Sequence, residues 1–234
     1  MNDQFSRLRL LLGNEALEKI KTKNVIVFGL GGVGGNVCDA LVRSGISHIT
    51  IVDNDVVDIT NINRQLIANI DTLGQNKVDV MEAHLKSLNP NIVVIKKKCF
   101  YLPDNSSEFN FSDYDYVVDA IDTVSAKIDI IVKCKELNIP VITALGCGNK
   151  INPTMLEVSD LSKTEYDPLA KVMRRELKKR GITHVKVVYS KEQPLERIDS
   201  SSELKKEVPG STAFVPPVAG IIIASEVIKD LLKD

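Results

Sequence analysis

The chain has 234 residues, enough for one large α/β domain or one domain with a smaller appendage. Its 44% hydrophobic and 26% charged content is ordinary globular composition. With 30 Lys and Arg against 31 Asp and Glu the formal charge is −1, so no global field attracts nucleic acid and only a local basic patch could do so. The four cysteines, Cys38, Cys99, Cys134 and Cys147, form no C-x-x-C pair. That argues against a zinc ribbon and a disulfide scaffold, and for reduced thiols in a reducing compartment.

The first 21 residues are mixed polar and lack the layout of a signal peptide. Residues 8–20 predict an amphipathic helix with Leu12, Ala16 and Leu17 on one face. A β run follows at 24–28, then Gly29-Leu30-Gly31-Gly32-Val33-Gly34, then apolar residues Val37, Ala40 and Leu41 at helical spacing over 36–44. A second strand at 48–52 ends at Asp53. In this strand, turn, helix, strand order Gly29 and Gly31 permit a tight turn that lets phosphate oxygens approach bare backbone. Gly34 allows close helix packing, and the N–H groups opening the helix would hold anionic phosphate. Asp53, 24 residues after Gly29, stands where an acid accepts hydrogen bonds from ribose hydroxyls. The motif does not separate a dinucleotide from ATP, and a glycine turn that merely closes the βαβ unit is the bland alternative.

Residues 73–88 predict a helix with Val80, Ala83 and Leu88 as core, ending at Asn89-Pro90. A strand follows at 92–97, a polar loop over 103–113, a buried strand at 116–120 that terminates at Ile121-Asp122, a helix over 125–137 and a buried strand at 140–144. Alternating apolar strands and helices imply a doubly wound, mainly parallel Rossmann-like sheet with helices on both faces. Ligands in such sheets sit beyond the carboxyl ends of the strands, where Gly29, Asp53, Asp122 and Gly146 fall. After about residue 150 the pattern changes to a small α+β extension. It has a strand at 155–158, a strongly basic helix over 170–179, a strand at 185–190, a mobile polar loop over 199–211 and an apolar helix over 212–233. The apolar run at 218–225 is too short to span a bilayer, and the chain reads as soluble and cytoplasmic.

Five spaced motifs then narrow the reading. They are the glycine loop, Asp53 after the second strand, Asn61-Ile62-Asn63-Arg64-Gln65, Gly74-Gln75-Asn76-Lys77 and Asp119-Ala120-Ile121-Asp122. In this order they resemble the E1-like adenylyltransferases of the ThiF, MoeB and HesA superfamily. The resemblance implies a single adenylation domain over 1–234, with a nucleotide-binding core at 1–150 and a substrate-side and dimerisation portion at 151–234. Adenylating a carboxylate brings two anions together, so cations must offset their repulsion. Arg64 and Lys77 are the candidates, bound around ATP with Gly29, Gly31, Gly32, Gly34, Asp53 and Asn61. Asp122 is the natural Mg²⁺ ligand, since hard cations prefer carboxylate oxygen. Asp122 as the N-cap of the following helix is the competing reading, and Asp119 would buttress the turn. Gln4-Phe5-Ser6-Arg7 resembles the superfamily segment whose arginine reaches a partner's ATP site, which makes Arg7 a trans-acting cation in a homodimer.

Ile151-Asn152-Pro153-Thr154, Asp160-Leu161-Ser162-Lys163-Thr164 and Asp167-Pro168-Leu169-Ala170 are similar to the tRNA threonylcarbamoyladenosine dehydratase branch. That branch implies ATP-driven activation of the threonyl carboxylate of a modified adenosine next to the anticodon. Ring closure by an internal nitrogen follows, and it needs no enzyme nucleophile. It also implies a tRNA partner, for which Lys171, Arg174, Arg175, Lys178 and Lys179 are candidates. A monovalent cation, K⁺ or Na⁺, near the D-L-S-K-T loop and a sulfur-transfer or cysteine desulfurase system partner belong to the same implication. Cys147 lies in a glycine turn near the expected site and reads as a small buried residue ahead of a nucleophile. One alternative is activation of the C-terminus of a ubiquitin-like sulfur carrier protein. The other is an NAD(P)-binding oxidoreductase, which has no use for Arg64, Lys77 and Asp122 around a triphosphate.

Overall fold

The computed structural model describes residues 2–196, 198 and 208–233. Its elements in chain order are α1 (Ser6–Lys21), β1 (Asn24–Phe28), α2 (Gly34–Arg43), β2 (His48–Val52), α3 (Lys77–Leu88), β3 (Val93–Lys97), β4 (Tyr116–Asp119), α4 (Val124–Glu136), β5 (Val141–Ala144), β6 (Leu156–Asp160), α5 (Pro168–Lys178), β7 (Lys186–Ser190) and α6 (Val215–Lys233). The strands form one seven-stranded sheet in the order β3-β2-β1-β4-β5-β7-β6. Every neighbouring pair is parallel except β6, which runs antiparallel to β7 at the edge. The register pairs Phe28 with both Val52 and Asp119, and Asp119 with Thr143. The carboxyl ends of β1, β2, β4 and β5 therefore line up along one edge, where the glycine loop and the D-A-I-D turn emerge.

Alternation along the strands assigns each face its helices. Val25 and Val27 point into a core shared with α2, α3 and α6, through Val37, Leu41, Met81, Ala219 and Ile223. Ile26 and Phe28 point the other way, onto Ala126 and Ile130 of α4 and onto Tyr101, Phe109 and Phe111. Phe28 stands edge-on to Tyr101 at 4.8 Å between ring centroids. On that same side α4 and α5 close over β7, through Ile131, Met173, Leu177 and Val187. The doubly wound arrangement expected from the alternation is the one observed.

Several boundaries differ from expectation for local reasons. Helix α1 is broken at Gly13, whose φ is +84°, and Leu10 and Leu11 are exposed. Helix α3 begins at Lys77 because Gly74 adopts φ +76° and Asn76 is extended, bridging to Val56. Its buried stripe is Val78, Met81 and Leu85, whereas Val80 and Leu88 are half-buried and Ala83 is exposed. The stretch 103–113 is polar only on average, since short 3₁₀ turns bury Ser106, Phe109 and Phe111. Helix α6 starts at Val215, where Thr212 Oγ1 accepts from the Phe214 and Val215 N–H groups. Of the polar stretch 199–211 only 208–211 falls within the described residues. Among those residues no helix is long and apolar enough to cross a membrane.

Candidate active site

A cleft of about 350 Å³ opens at the carboxyl ends of β1, β2 and β4, lined by the glycine loop, Asp53, Asp55, Asn61, Arg64, Gln65, Lys77, the 99–101 segment and Asp122. The loop owes its path to two close approaches. Gly29 has φ +87°, and a Cβ there would lie 2.8 Å from the Ala120 carbonyl oxygen. A Cβ on Gly34 would lie 1.8 Å from the Gly29 carbonyl oxygen, so only glycine lets α2 start against the end of β1. Gly31 differs, because a Cβ there meets no atom within 4 Å although the residue lines the cleft. The space beside it is the kind of bare-backbone cradle that a phosphate fills. Gly32 completes the wall against Pro216 and the Arg64 backbone.

Asp53 is anchored by the loop it faces. Its Oδ2 accepts from the Leu30 N–H at 2.7 Å and its Oδ1 from the Asp55 N–H at 2.8 Å. Burial pushes its carboxyl above the ordinary carboxylate range, against the pull of Lys77 and these N–H donors. Lys77 opens α3 with a side chain only 6% exposed, and its Nζ donates to Asp55 Oδ2 at 2.7 Å. Arg64 donates through Nη1 to the Thr60 carbonyl at 2.8 Å and to Asn63 Oδ1 at 2.9 Å, and half-burial lowers its pKa. The Asn61 Oδ1 accepts from the Asp58 N–H in a capping box, which leaves its amide N–H groups as what it offers a ligand.

Asp122 is exposed, and among the described residues its carboxylate accepts one long bond, from Thr123 Oγ1 at 3.5 Å. The residue that precedes α4 as its cap is Thr123, so the capping reading of Asp122 fails and its carboxylate faces the cleft uncommitted. Among the described residues no three His, Cys, Asp or Glu side chains gather into a metal cluster. A lone carboxylate such as that of Asp122 suits a divalent ion that takes most of its ligands from phosphate and water. Asp119 turns away from the cleft and pairs with Lys127 at 3.0 Å.

The sequence pattern gives no role to two residues of the cleft, Gln65 and Asp55. Gln65 is 7% exposed, lines the cleft, and its Oε1 has no partner among the described residues. An orphaned buried acceptor at a cleft wall marks a place for a ligand donor. Its signal was its position in N-x-x-R-Q. Asp55 could be found only through Lys77.

Other expected residues lie elsewhere. Arg7 is exposed on α1 and does not line the cleft. Cys147 is buried, its thiol pushed up to about 11 by burial, with the nearest acceptor the Leu145 carbonyl at 3.6 Å. The basic helix is α5, capped by Asp167 Oδ1 on the Ala170 N–H and opened by Pro168. Arg174 is half-buried on it. Its Nη1 donates to the Thr164 carbonyl at 2.9 Å, to the Leu161 carbonyl at 3.3 Å and to Thr164 Oγ1. This cation of the expected RNA surface is therefore turned inward, where it holds the end of the D-L-S-K-T loop. Lys171, Arg175, Lys178 and Lys179 are exposed, with Arg175 and Lys179 both paired to Glu176.

Comparison with known proteins agrees with this geometry. The ThiF family model matches residues 4–234. The tRNA threonylcarbamoyladenosine dehydratase of Bacillus subtilis is 44% identical over 248 residues, covering 100% of this chain and 96% of the relative. The Escherichia coli protein of the same name is 40% identical over 175 residues, covering 75% of this chain and 65% of that protein. The crystal structure of the E. coli dehydratase in complex with AMP superposes with a TM-score of 0.90 at 34% identity, covering 98% of this chain and 94% of the other. Its complex with ATP gives a TM-score of 0.89 at the same identity and coverage. A family model that runs almost end to end, on a chain whose five motifs converge on one cleft, makes this protein a member of the ThiF family.

Proposed function

We propose that the chain is an ATP-dependent tRNA threonylcarbamoyladenosine dehydratase. The threonyl carboxylate of the modified adenosine next to the anticodon attacks the α-phosphorus of ATP and pyrophosphate leaves. An internal nitrogen then attacks the activated carbonyl, the ring closes, and AMP departs with the carboxylate oxygen, a net loss of water. The observation that carries the reading is the cleft, with the open Gly31 cradle faced by Arg64, Lys77 and Asp122. The full-length match to the B. subtilis dehydratase gives the substrate class.

The residues divide the work by charge. The N–H groups opening α2 hold phosphate oxygens. Arg64 and Lys77 offset the charge of the two anions that must meet, and the charge that leaves on pyrophosphate. Asp53 accepts from ribose, and Gln65 Oε1 accepts a donor of the ligand. Asp122 would hold Mg²⁺, which supplies further neutralisation of the phosphates when bound. The attacking nitrogen is tethered to its carbonyl, so effective molarity replaces an enzyme nucleophile. The buried Cys147 thiol suits this scheme and counts against relay to a sulfur carrier.

The tRNA lies across Lys171, Arg175, Lys178 and Lys179, supported by their exposure on α5. The chain forms a homodimer in which Arg7 serves the partner's site, supported by the exposure of Leu10 and Leu11 at 88% and 80% beside it on α1. A monovalent cation would bind near the D-L-S-K-T loop through oxygens other than the Leu161 and Thr164 carbonyls, which the Arg174 guanidinium engages. The protein works in the cytoplasm, where its tRNA substrate is. The test is incubation of purified protein with Mg²⁺, ATP and tRNA bearing threonylcarbamoyladenosine, followed by mass spectrometry of the digested nucleosides. Loss of one water with formation of AMP and pyrophosphate is the expected result. ATP consumption with an unchanged nucleoside overturns the reading.

A further inference from the structure

The first acid of the D-A-I-D turn does not face the cleft, and the reason is a lysine buried in α4. Lys127 is 1% exposed and Asp119 is 0% exposed. The Lys127 Nζ spends its three donors on Asp119 Oδ2 at 3.0 Å, Thr143 Oγ1 at 3.0 Å and the Ala144 carbonyl at 2.7 Å. The Thr143 hydroxyl donates in turn to Asp119 Oδ2. Asp119 Oδ1 remains, and it accepts from the Ile121 N–H at 3.3 Å. The chain Lys127, Asp119, Ile121 therefore ends one residue before Asp122. The turn it holds also abuts the glycine loop, since a Cβ on Gly29 would strike the Ala120 carbonyl.

We infer that Lys127 is a positioning residue for Asp122: through Asp119 it locks the ends of β4 and β5 together and fixes the turn that presents the Asp122 carboxylate to the cleft. Among the described residues Asp122 has no strong hydrogen bond of its own, so its aim depends on the backbone that carries it. A fully buried lysine–carboxylate pair is expensive to maintain for packing alone, because apolar side chains of similar volume in place of both partners often do as well. Supporting groups of this kind set ligand orientation, and their loss weakens metal binding by about 10–100-fold. The inference rests on the proposed role of Asp122 toward Mg²⁺.

The experiment measures ATP affinity with Mg²⁺ and with EDTA, by titration calorimetry on the whole protein, for wild type, Lys127→Met, Asp122→Ala and the double variant. Lys127→Met is expected to keep the EDTA affinity within about two-fold and to lose about ten-fold with Mg²⁺. In the Asp122→Ala background it should cost less than about two-fold, because the group it aims is gone. Equal losses in EDTA and Mg²⁺, or losses that multiply in the double variant, overturn the inference. If circular dichroism shows Lys127→Met unfolded, Thr143→Val removes one strut and must show the same dependence on Asp122. A wild type that binds Mg²⁺ and ATP yet leaves the modified nucleoside unchanged sinks the dehydratase reading, while the affinity cycle still decides Lys127.

Discussion

Gly31→Ala separates the folding role of the glycine loop from its ligand role. Gly31 has none of the positive φ that excludes alanine, and the added methyl meets nothing within 4 Å. Stability should therefore hold or rise, by about 0.4–1 kcal/mol, because alanine lowers the entropy of the unfolded chain. The methyl projects into open space beside the loop, where the proposed function has phosphate oxygens approach bare backbone. Displacing them should weaken ATP at least about ten-fold, roughly 1.4 kcal/mol. Gly34→Ala is the matched opposite, with its methyl 1.8 Å from a backbone oxygen that cannot step aside. It should cost about 3 kcal/mol or more of stability. Thermal unfolding and calorimetric ATP titration of both variants provide the check. Gly31→Ala with wild-type affinity would refute the cradle, and a stable Gly34→Ala would refute the close packing.

Arg174→Ala should lower stability by about 2 kcal/mol through loss of charged hydrogen bonds to the 161–164 loop, or roughly 4–8 °C in Tm. By contrast, Arg175→Glu with Lys179→Glu should leave Tm nearly unchanged, weaken tRNA and flatten its salt dependence by about two units of slope, as filter binding over a salt series would show. Cys147→Ala should keep cyclisation within about two-fold, and a complete loss in the nucleoside assay would revive a thiol mechanism. Burial pushes the Asp230 carboxyl up, but Lys186, Lys233 and the Tyr116 hydroxyl outweigh it and hold the group below the usual carboxylate range. A depressed folded pKa stabilises above the unfolded value and ceases to do so as pH falls through the folded one. Asp230→Asn should thus cost about 1–2 kcal/mol at pH 7, with the gap to wild type closing as urea melts are repeated toward pH 3.

The first half of the chain was legible because its signals are local. Strand periodicity, the glycine spacing and an acid at the next strand end each constrain neighbouring residues, and Gly31, Asp53, Arg64, Lys77 and Asp122 line one cleft. What escaped was set by tertiary contact. Lys127 sits in Lys127-Ile128-Asp129 like any solvated helix lysine, and only the pairing of β4 with β5 brings Asp119 and Thr143 to it. Charge density along α5 does not reveal that Arg174 faces the Leu161 and Thr164 carbonyls while its neighbours face water. The start of α3 moved because a left-handed Gly74 and the Val56 bridge override an apolar Leu73 that extends the helical pattern.

Lys77 gives the cleft a further testable property. Its ammonium is nearly buried, and Asp55, 62% exposed, is the carboxylate that pairs with it. An incoming polyphosphate that met Lys77 would compete with that carboxylate, so part of the ligand's attraction would be spent on breaking or sharing an existing ion pair. Asp55→Asn removes the competitor and leaves the lysine without a counter-charge in the ligand-free protein. That state should be less stable by about 1 kcal/mol, a modest figure because Asp55 is largely solvated. Anion binding would then restore the lost pairing. By linkage, the rise in Tm on adding saturating ATP should exceed that of wild type by roughly 2–4 °C. Differential scanning fluorimetry with and without ATP reads the difference directly. A rise equal to wild type would mean that Lys77 does not meet the phosphates, and a smaller one that Asp55 itself helps to hold the ligand or its cation.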